Sequence, residues 1–412
     1  MNIKSFILRF FIIIFISIHN FTALGQKSLH YAFITTPLFG YVNPTLEIVQ
    51  ALIKSGHKVT YFNVPAYQKQ IENSGAVFIP YQGTAASNFV KDVSSKTIEL
   101  NILYTQLDNI LTEVEPAIIE FFNKNEINIV IYDQFAVWGK VIAEKYHIPA
   151  VCSNPMLLAK PEEWTKSPNV IPSDNKNFPF NYMISNLSCS NADEIIAYTS
   201  SELQPEFSNQ ENIIFFGKRF IDKPISEAVL KDNSLIYISL GTVNTNFDLF
   251  NQLIEFFKNT SYKVIISVGN NEEMYKELSS KKSRNIEIHK FVDQTKILSE
   301  AAIFFTHVGA NSLYESINAT VPIIMIPQAD EQNLNARRAK ELQLGYILQS
   351  ENISKQAIQD AFNDMRSNWS KYKENMRKLR ETFVDSEDAN ALASDLSHLV
   401  TIENSESQSV AK

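Results

Sequence analysis

Glycine is scarce in this chain, so the position of each glycine carries information. Only 11 of the 412 residues are glycine. Gly40, Gly241, Gly269 and Gly309 each follow a strand-like run of residues. At such points the backbone must turn sharply or approach a ligand closely, and only glycine does both without a steric cost. These four positions are therefore the first candidates for a binding site.

Patterns that would hold a metal ion are also missing. The two cysteines, Cys152 and Cys189, lack the spacing of a metal site and allow one disulfide at most. No Asp-x-Asp pair occurs, and paired carboxylates on a loop are a common way to hold Mg²⁺ against a diphosphate. We therefore expect a site that works without a metal and without a cofactor.

An excess of positive charge is absent as well. The net charge of -8 and the isoelectric point near 5.5 give no support for nucleic acid or an anionic membrane surface as a partner. No repeat of solenoid period is present, and the sequence does not indicate the oligomeric state.

A long hydrophobic run is found only at the amino terminus. Lys4 and Arg9 precede the apolar residues Phe10 to Ile18, and small residues follow. This pattern predicts that residues 1–26 are a secretory signal peptide or an amino-terminal anchor, which would be the chain's only membrane contact. The protein would then enter the secretory pathway, and be secreted or anchored there. It would be cytoplasmic if the true start lies further downstream.

The length and the 45% hydrophobic content suffice for two cores of ordinary domain size. Near the amino terminus, a strand at Tyr31 to Thr35, a loop at Pro37 to Pro44, a helix at Leu46 to Ser55 and a strand at His57 to Phe62 predict a βαβ unit. The polar stretch from Lys218 to Asp232 separates two apolar strand-like runs. We expect domains at 27–220 and 221–365, followed by carboxyl-terminal helices and a polar tail at 366–412.

The most informative stretch predicts a phosphate-binding turn. Ala302 to Thr306 is an apolar run of strand length that leads to His307 and Gly309, and a helical pattern begins at Asn311. Free N–H groups at a helix start bind phosphate, and the His307 imidazole and the Ser312 hydroxyl would add donors.

Acidic and amide side chains follow on the same unit. Glu315 lies one turn into the helix, where its carboxylate could accept hydrogen bonds from both ribose hydroxyls. A second buried strand, Val321 to Pro327, delivers Glu331 and Gln332 at its carboxyl end. We expect these two residues to hold a sugar, with Asp330 as the contact if the loop is shifted by one residue.

The order of these residues resembles the signature of the family 1 glycosyltransferases, which include macrolide, plant secondary-metabolite and glucuronosyl transferases. The signature residues are His307, Gly309, Asn311, Ser312 and Glu315, followed by Pro327, Gln328, Glu331, Gln332, Asn335 and Ala336. The resemblance extends upstream to Phe291 and Gln294, at the positions where the family stacks an aromatic ring on uracil and bonds the nucleoside. Gly241 and Thr242 resemble the turn that approaches the diphosphate.

The resemblance implies an α/β protein of the GT-B fold, with two Rossmann-like, doubly wound domains facing a central cleft. It implies transfer of a hexose, with inversion, from a nucleotide diphosphate sugar to a small lipophilic acceptor. The donor would be a UDP-sugar. An epimerase of the same architecture is disfavoured because the opening loop of the acceptor side is present.

One residue departs from the family pattern. The family has Gly-His-x-Asn-Pro before the first helix, with histidine as the base; here the tract has Tyr41 at that position. A phenol with a pKa near 10 is a poor base at neutral pH. Asp133, after the apolar run Asn128 to Tyr132, matches the acid that orients the histidine. Without the family match, Asp133 could equally be a turn or capping residue.

Three readings of this departure remain open. Asp133 could act directly as base on an amine or on a readily ionised acceptor. His30 could reach the site. The protein could be a weakly active member, or a non-catalytic one that binds sugar nucleotides or lipophilic molecules.

The remaining segments are less specific. Ser153 to Asn186 is irregular and rich in aromatic residues, and is either an apolar lid for the acceptor or a packed connection. Ser354 to Leu399 is predicted to form helices, and Asn404 to Lys412 is predicted to form a disordered polar tail.

Overall fold

A computed structural model describes residues 28–88, 100–165, 179–217, 224–241, 246–269, 271–281, 283–349, 353–384 and 388–410. The expected leader at residues 1–26 and the expected donor contact Thr242 lie outside these ranges. The described residues form two parallel β-sheets, each covered by helices.

The first sheet has seven strands in the order β3-β2-β1-β4-β5-β6-β7, and every neighbouring pair is parallel. Its strands are apolar on both faces, as expected for a parallel sheet with helices on both sides. The strands are β1 (His30–Ile34), β2 (Lys58–Asn63), β3 (Val77–Pro80), β4 (Ile129–Tyr132), β5 (Ala150–Asn154), β6 (Glu194–Ala197) and β7 (Ile213–Phe215).

Helices connect these strands. They are α1 (Phe39–Lys54), α2 (Gln68–Asn73), α3 (Leu100–Lys124), α4 (Val137–Tyr146), α5 (Pro161–Thr165) and α6 (Phe180–Leu187). Two short 3₁₀ turns cover Pro65–Tyr67 and Pro205–Phe207.

The start of α1 differs from the sequence-based expectation. The loop predicted for Pro37 to Pro44 is mostly helix, because α1 begins at Phe39 and contains Pro44 in its second turn. The carbonyl of Leu38 accepts from the N–H groups of Tyr41 and Val42 and so closes the first turn. Proline suggested a boundary, but its fixed φ also suits the early turns of a helix.

The second sheet has six strands in the order β10-β9-β8-β11-β12-β13, again all parallel. They are β8 (Leu235–Ser239), β9 (Lys263–Ser267), β10 (Ile286–His289), β11 (Ala301–Thr306), β12 (Ile323–Met325) and β13 (Gly345–Ile347). The helices are α7 (Phe247–Phe257), α8 (Glu272–Ser279), α9 (Gln294–Leu298), α10 (Ala310–Ala319), α11 (Asp330–Glu341), α12 (Lys355–Val384) and α13 (Ala389–Val410).

Each sheet reverses its strand order at one point. In the first sheet the reversal lies between β1 and β4, and in the second it lies between β8 and β11. Ligands of open α/β sheets bind outside the carboxyl ends of the strands at such a point. Asp133 directly follows β4, and His307 directly follows β11. The fold therefore brings one candidate residue to the switch point of each sheet.

The last two helices connect the two domains. The boundary expected after residue 365 falls inside the continuous helix α12. The following helix α13 returns to the first domain and packs on α1, where Leu392 and Leu396 join the core that contains Tyr31 and Val42.

The expected disordered tail from Asn404 is also different, because α13 continues through Val410. Residues 400–410 contain neither glycine nor proline, so nothing in the sequence stops the helix there.

Candidate active site

His307 lies between two glycines at the switch point of the second sheet. A β-carbon on Gly309 would lie 2.6 Å from Nε2 of His307, and one on Gly241 would lie 2.9 Å from the same atom. Gly241 also has a φ of 86°, which strains other residues. Glycine is therefore required on both sides of the imidazole. Burial lowers the pKa of His307 to about 4, partly opposed by the Ser239 backbone, so the ring is neutral at pH 7.

The turn after His307 is strained. Val308 has a φ of 57°, an unusual conformation for a β-branched residue. Its N–H donates to Oγ1 of Thr306 at 3.0 Å, and its carbonyl accepts from Nδ2 of Asn335 at 2.9 Å. Such strain costs roughly 1–3 kcal/mol and persists only where neighbours enforce it. The turn leads directly into α10, at the helix start predicted to bind phosphate.

A polar cluster surrounds the expected ribose position. Gln294 donates from Nε2 to Glu315 at 2.6 Å and also lies 3.4 Å from Oγ of Ser312. The hydroxyl of Tyr237 donates to Oε1 of Gln294 at 3.1 Å. The structure thus brings together three residues that the sequence predicted. Tyr237 was missed, because within β8 it reads as an ordinary core aromatic.

The aromatic residue expected to stack on the base is accessible. Phe291 is 55% exposed, which leaves its ring free to cover a ligand. The neighbouring Asp293, where the family usually has proline, accepts from the N–H of Lys296 at 3.1 Å and caps α9. Asp293 therefore starts the helix that carries Gln294.

The expected sugar contacts lie at the start of α11. Oε1 of Glu331 accepts from the N–H of Ala310 at 3.1 Å and from Nδ2 of Asn335 at 2.5 Å. Burial raises the pKa of Glu331 to about 7, although these two donors oppose the shift. Oε1 of Gln332 accepts from the N–H of Gln328 at 2.8 Å. For Asp330 only the backbone is described, as the first residue of α11.

On the acceptor side, Asp133 is fully enclosed. Its Oδ2 accepts from the N–H of Thr36 at 2.6 Å. Its Oδ1 accepts from the hydroxyl of Thr36 at 2.7 Å and from the N–H groups of Phe135 and Ala136, both at 3.0 Å. The side chain is 0% exposed, and burial raises its pKa to about 6. The reading of Asp133 as a base in direct contact with the acceptor is therefore wrong.

His30 is also excluded as a base for this site. It is the first residue of β1 and contacts Oγ1 of Thr60 at 2.8 Å. The cleft lies at the opposite, carboxyl end of that strand. Five residues of strand span roughly 13 Å, too far for an imidazole to reach.

Tyr41 lies in the first turn of α1 and is half-buried. Its hydroxyl donates to Sδ of Met156 at 3.0 Å, and its ring packs edge-on against Phe135. Burial and the charges of Asp133 and Glu331 raise the pKa of Tyr41 well above its usual value. The phenol therefore keeps its proton at neutral pH.

The two domains approach each other beside Tyr41. A β-carbon on Gly40 would lie 3.3 Å from Nδ2 of Asn311, at the start of the donor-side helix α10. Arg338 of α11 also donates across the domains, from Nε to the carbonyl of Leu203 at 2.7 Å.

A cavity of about 610 Å³ opens in the same cleft. Residues of the segment predicted as lid or connection form one wall, and α11 and its neighbours form the other. The lining residues are Met156, Leu157, Ala159, Glu163, Trp164, Pro327, Glu331, Asn333, Leu334, Ala336, Arg337, Ile347 and Gln349. The described part of this segment thus lines a mostly apolar space; residues 166–178 lie outside the described ranges.

Two further observations concern metals and membranes. Among the described residues, no group of three or more His, Cys, Asp or Glu side chains could hold a metal ion. Within the same ranges, no helix combines the length and apolarity needed to cross a membrane.

Comparisons with known proteins agree with this geometry. Residues 226–390 match the glycosyltransferase family 28 C-terminal domain. The chain is 28% identical over 371 residues to NDP-glycosyltransferase YjiC of Bacillus subtilis, covering 82% of this chain and 88% of that protein. It is 22% identical to the oleandomycin glycosyltransferase of Streptomyces antibioticus, covering 80% and 82%.

Solved structures show the same fold. The calicheamicin glycosyltransferase CalG4 superposes with a TM-score of 0.72 at 20% identity, covering 90% of this chain and 98% of that one. The UDP-glucose: anthocyanidin 3-O-glucosyltransferase in complex with UDP superposes with a TM-score of 0.67 at 16% identity, covering 92% and 100%.

The two facing sheets and the donor-side cluster define a glycosyltransferase of the GT-B fold that uses a nucleotide sugar. Within that class, the sequence signature and these relatives make the chain similar to the family 1 glycosyltransferases.

Proposed function

We infer that this enzyme transfers a hexose from a UDP-sugar to a small lipophilic acceptor, with inversion at the anomeric carbon and without a metal. The observation that carries the proposal is the enclosure of His307 between Gly241 and Gly309 at the switch point of the second sheet. A turn with a purely structural role would not require two glycines and a strained valine around an imidazole.

The donor side supports a uridine nucleotide. Glu315, held by Gln294, suits the ribose diol, and the exposed ring of Phe291 suits the base. The N–H groups at the start of α10 and the neutral imidazole of His307 would stabilise the charge that develops on the leaving diphosphate. Glu331 and Gln332 would hold the hexose hydroxyls.

The acceptor side supports a lipophilic substrate. The 610 Å³ cavity adjoins Glu331 and is lined mainly by apolar side chains such as Leu157 and Trp164. An acceptor bound there would attack the anomeric carbon from the side opposite the diphosphate, which gives inversion in one displacement.

A second candidate function rests on Tyr41. With a protonated phenol where the family has histidine, the chain could be a catalytically degenerate member that binds sugar nucleotides or lipophilic molecules.

For the amino terminus, we propose that residues 1–26 direct the protein into the secretory pathway or anchor it, with a cytoplasmic location if they are not translated.

The test is thermal stabilisation of the purified protein by a panel of nucleotide diphosphate sugars, followed by release of nucleotide diphosphate with mixed acceptors. Stabilisation by UDP-sugars and turnover in the presence of EDTA are expected, and the anomeric coupling constant of the product reports inversion. Stabilisation without turnover of any acceptor favours the degenerate reading. No stabilisation by any nucleotide sugar would refute both.

A further inference from the structure

One helix of the donor domain contacts both the expected sugar site and the acceptor domain. Glu331 lies in the first turn of α11, and Arg338 lies two turns further on. Residues at this spacing lie on nearly the same face of a helix, roughly 10 Å apart along its axis. Between them, Leu334 borders two cavities of the cleft, of about 610 Å³ and about 250 Å³. This face of α11 therefore runs along the cleft from the sugar site to the acceptor domain.

The guanidinium of Arg338 binds the backbone of the acceptor domain. Its Nε donates to the carbonyl of Leu203 at 2.7 Å, and its Nη2 donates to the carbonyl of Glu202 at 3.2 Å. Its Nη1 donates to Glu341 on α11 at 2.9 Å. The side chain is only 20% exposed, so water competes little for these bonds. Because the guanidinium is planar and rigid, the bonds fix an orientation as well as a distance.

The same backbone segment is tied to the wall of the larger cavity. Gln204 directly follows Leu203 and is 1% exposed. Its Oε1 accepts from the N–H of Leu158 at 3.0 Å, and its Nε2 donates to the carbonyl of Leu158 at 2.9 Å. One side-chain amide thus satisfies both backbone groups of Leu158, whose neighbours Leu157 and Ala159 line the cavity.

Apolar packing supports these polar contacts. Leu157 and Leu203 of the acceptor domain are both buried, and they belong to the same apolar cluster as Tyr314 and Ala336 of the donor domain. If the cavity wall moved away from α11, this apolar surface would become exposed to water, which is unfavourable. The wall and α11 are therefore held together by apolar contacts and by a chain of hydrogen bonds.

We propose that Arg338 and Gln204 are positioning residues, which set the distance between the sugar held at Glu331 and the acceptor wall at Leu158. This inference rests on the proposed function and adds the contacts that hold its two substrates in register. Reacting atoms must lie about 3–3.5 Å apart, and a misplacement of about 1 Å can cost roughly 100-fold in rate. Water needs no wall to orient it, so a looser cleft favours attack by water over attack by the acceptor.

Attack by water gives a product that can be measured. The oxygen of water bonds to the anomeric carbon while the bond from that carbon to the diphosphate oxygen breaks. The bonding electrons leave with the UDP, and the surplus proton goes to the solvent. The share of UDP-glucose that ends as free glucose, and not as a glucoside, therefore reports the spacing.

The test uses the full-length protein, UDP-glucose, and 2-naphthol or the best acceptor of the panel above. Arg338→Ala should keep the Kd for UDP within about threefold, but raise the acceptor KM at least about tenfold and the glucose share at least about fivefold. Arg338→Lys can still donate to a carbonyl and should restore part of both changes. The matched control is Arg377→Ala, which removes a similar ion pair with Glu374 on α12 and should keep the wild-type values.

A second variant tests the other half of the connection. Gln204→Glu can still accept from the N–H of Leu158 but cannot donate to its carbonyl, so it should raise the acceptor KM and the glucose share as well. Combining it with Arg338→Ala should give little further change, because both substitutions break the same connection.

The results that would overturn the inference are specific. A wild-type glucose share in Arg338→Ala, an equal rise of the Kd for UDP and of the acceptor KM, or fully additive effects in the double variant would each show that these contacts only stabilise the fold. Wild-type protein that does not bind UDP, or that transfers glucose to no acceptor, would instead refute the proposed function.

Discussion

Thr36 binds Asp133 through two hydrogen bonds, from its N–H to Oδ2 at 2.6 Å and from its hydroxyl to Oδ1 at 2.7 Å. The two residues follow β1 and β4, the neighbouring strands at which the first sheet reverses its order. Asp133 therefore joins the ends of these strands and fixes the floor of the acceptor side.

This arrangement predicts a pH-dependent stability. Burial raises the pKa of Asp133 from 3.8 to about 6, so the folded protein binds this proton more tightly than the unfolded chain does. The free energy of unfolding should fall by up to about 3 kcal/mol as the pH rises across that interval, and then level off. Chemical denaturation at a series of pH values measures it.

Asp133→Asn should remove this part of the pH dependence. It should also destabilise the protein by roughly 1–3 kcal/mol above pH 6. Both oxygens of Asp133 accept hydrogen bonds, so the NH₂ group of asparagine would replace one acceptor and leave a buried donor, such as the Thr36 N–H, without a partner. The exposed Asp232→Asn is the matched control and should keep the wild-type pH slope. An unchanged slope in Asp133→Asn would contradict the assignment.

The glycines beside His307 give a second prediction. Gly241 and Gly56 have nearly equal φ angles of 86° and 88°, but a β-carbon on Gly56 meets nothing within 4 Å. The positive φ alone should cost alanine roughly 1 kcal/mol of stability at either position, and Gly241→Ala should cost more because its β-carbon would lie 2.9 Å from Nε2 of His307. Only Gly241→Ala should also displace His307 and weaken UDP binding, by at least about tenfold. Calorimetric titration with UDP separates the two effects, and equal UDP affinities would argue against a donor site at His307.

Glu315 provides a third prediction, concerning the ribose. If its carboxylate accepts from both hydroxyls of the diol, Glu315→Ala should weaken UDP binding by about 1.5–3 kcal/mol, the usual value for hydrogen bonds to a charged group. The preference for UDP over its 2′-deoxy analogue should fall towards one. A variant that binds both nucleotides less tightly but keeps the preference would place the 2′-hydroxyl elsewhere.

The disulfide between Cys152 and Cys189 gives a fourth prediction. It joins the middle of β5 to the second residue after α6, at a sequence separation of 37, and so closes the loop that contains the cavity wall. Replacing both cysteines with serine should lower the free energy of unfolding by about 3–4 kcal/mol in the chain-entropy description. Thermal unfolding with and without reductant, compared with the double variant, measures this. Identical unfolding of all three samples would mean that the bond does not form in solution.

Local signals predicted the donor side well. The strand, turn and helix around His307 follow from an apolar run, a glycine and a helical repeat, all within twenty residues. The start of α1 at Phe39 was not predicted, since its apolar repeat begins later and Pro44 resembles a boundary.

Long-range contacts set the limit of the prediction on the acceptor side. The position of Asp133 after a strand could be predicted. Its hydrogen bonds with Thr36 could not, because these two residues are 97 positions apart in sequence. The bond from Tyr237 to Gln294 spans 57 positions and was missed for the same reason. Hydrogen bonds between distant segments leave no periodic signal in the sequence.

The return of α13 to the first domain has a consequence for biosynthesis. Ala389, Leu392, Ala393 and Leu396 complete the core formed with α1 and β1, yet the ribosome makes them more than 300 residues later. Because apolar core surface stays exposed until its partner helix arrives, the amino-terminal domain finishes folding only after nearly the whole polypeptide has been translated. A nascent chain released before residue 389 would carry a finished donor domain attached to an unfinished acceptor domain.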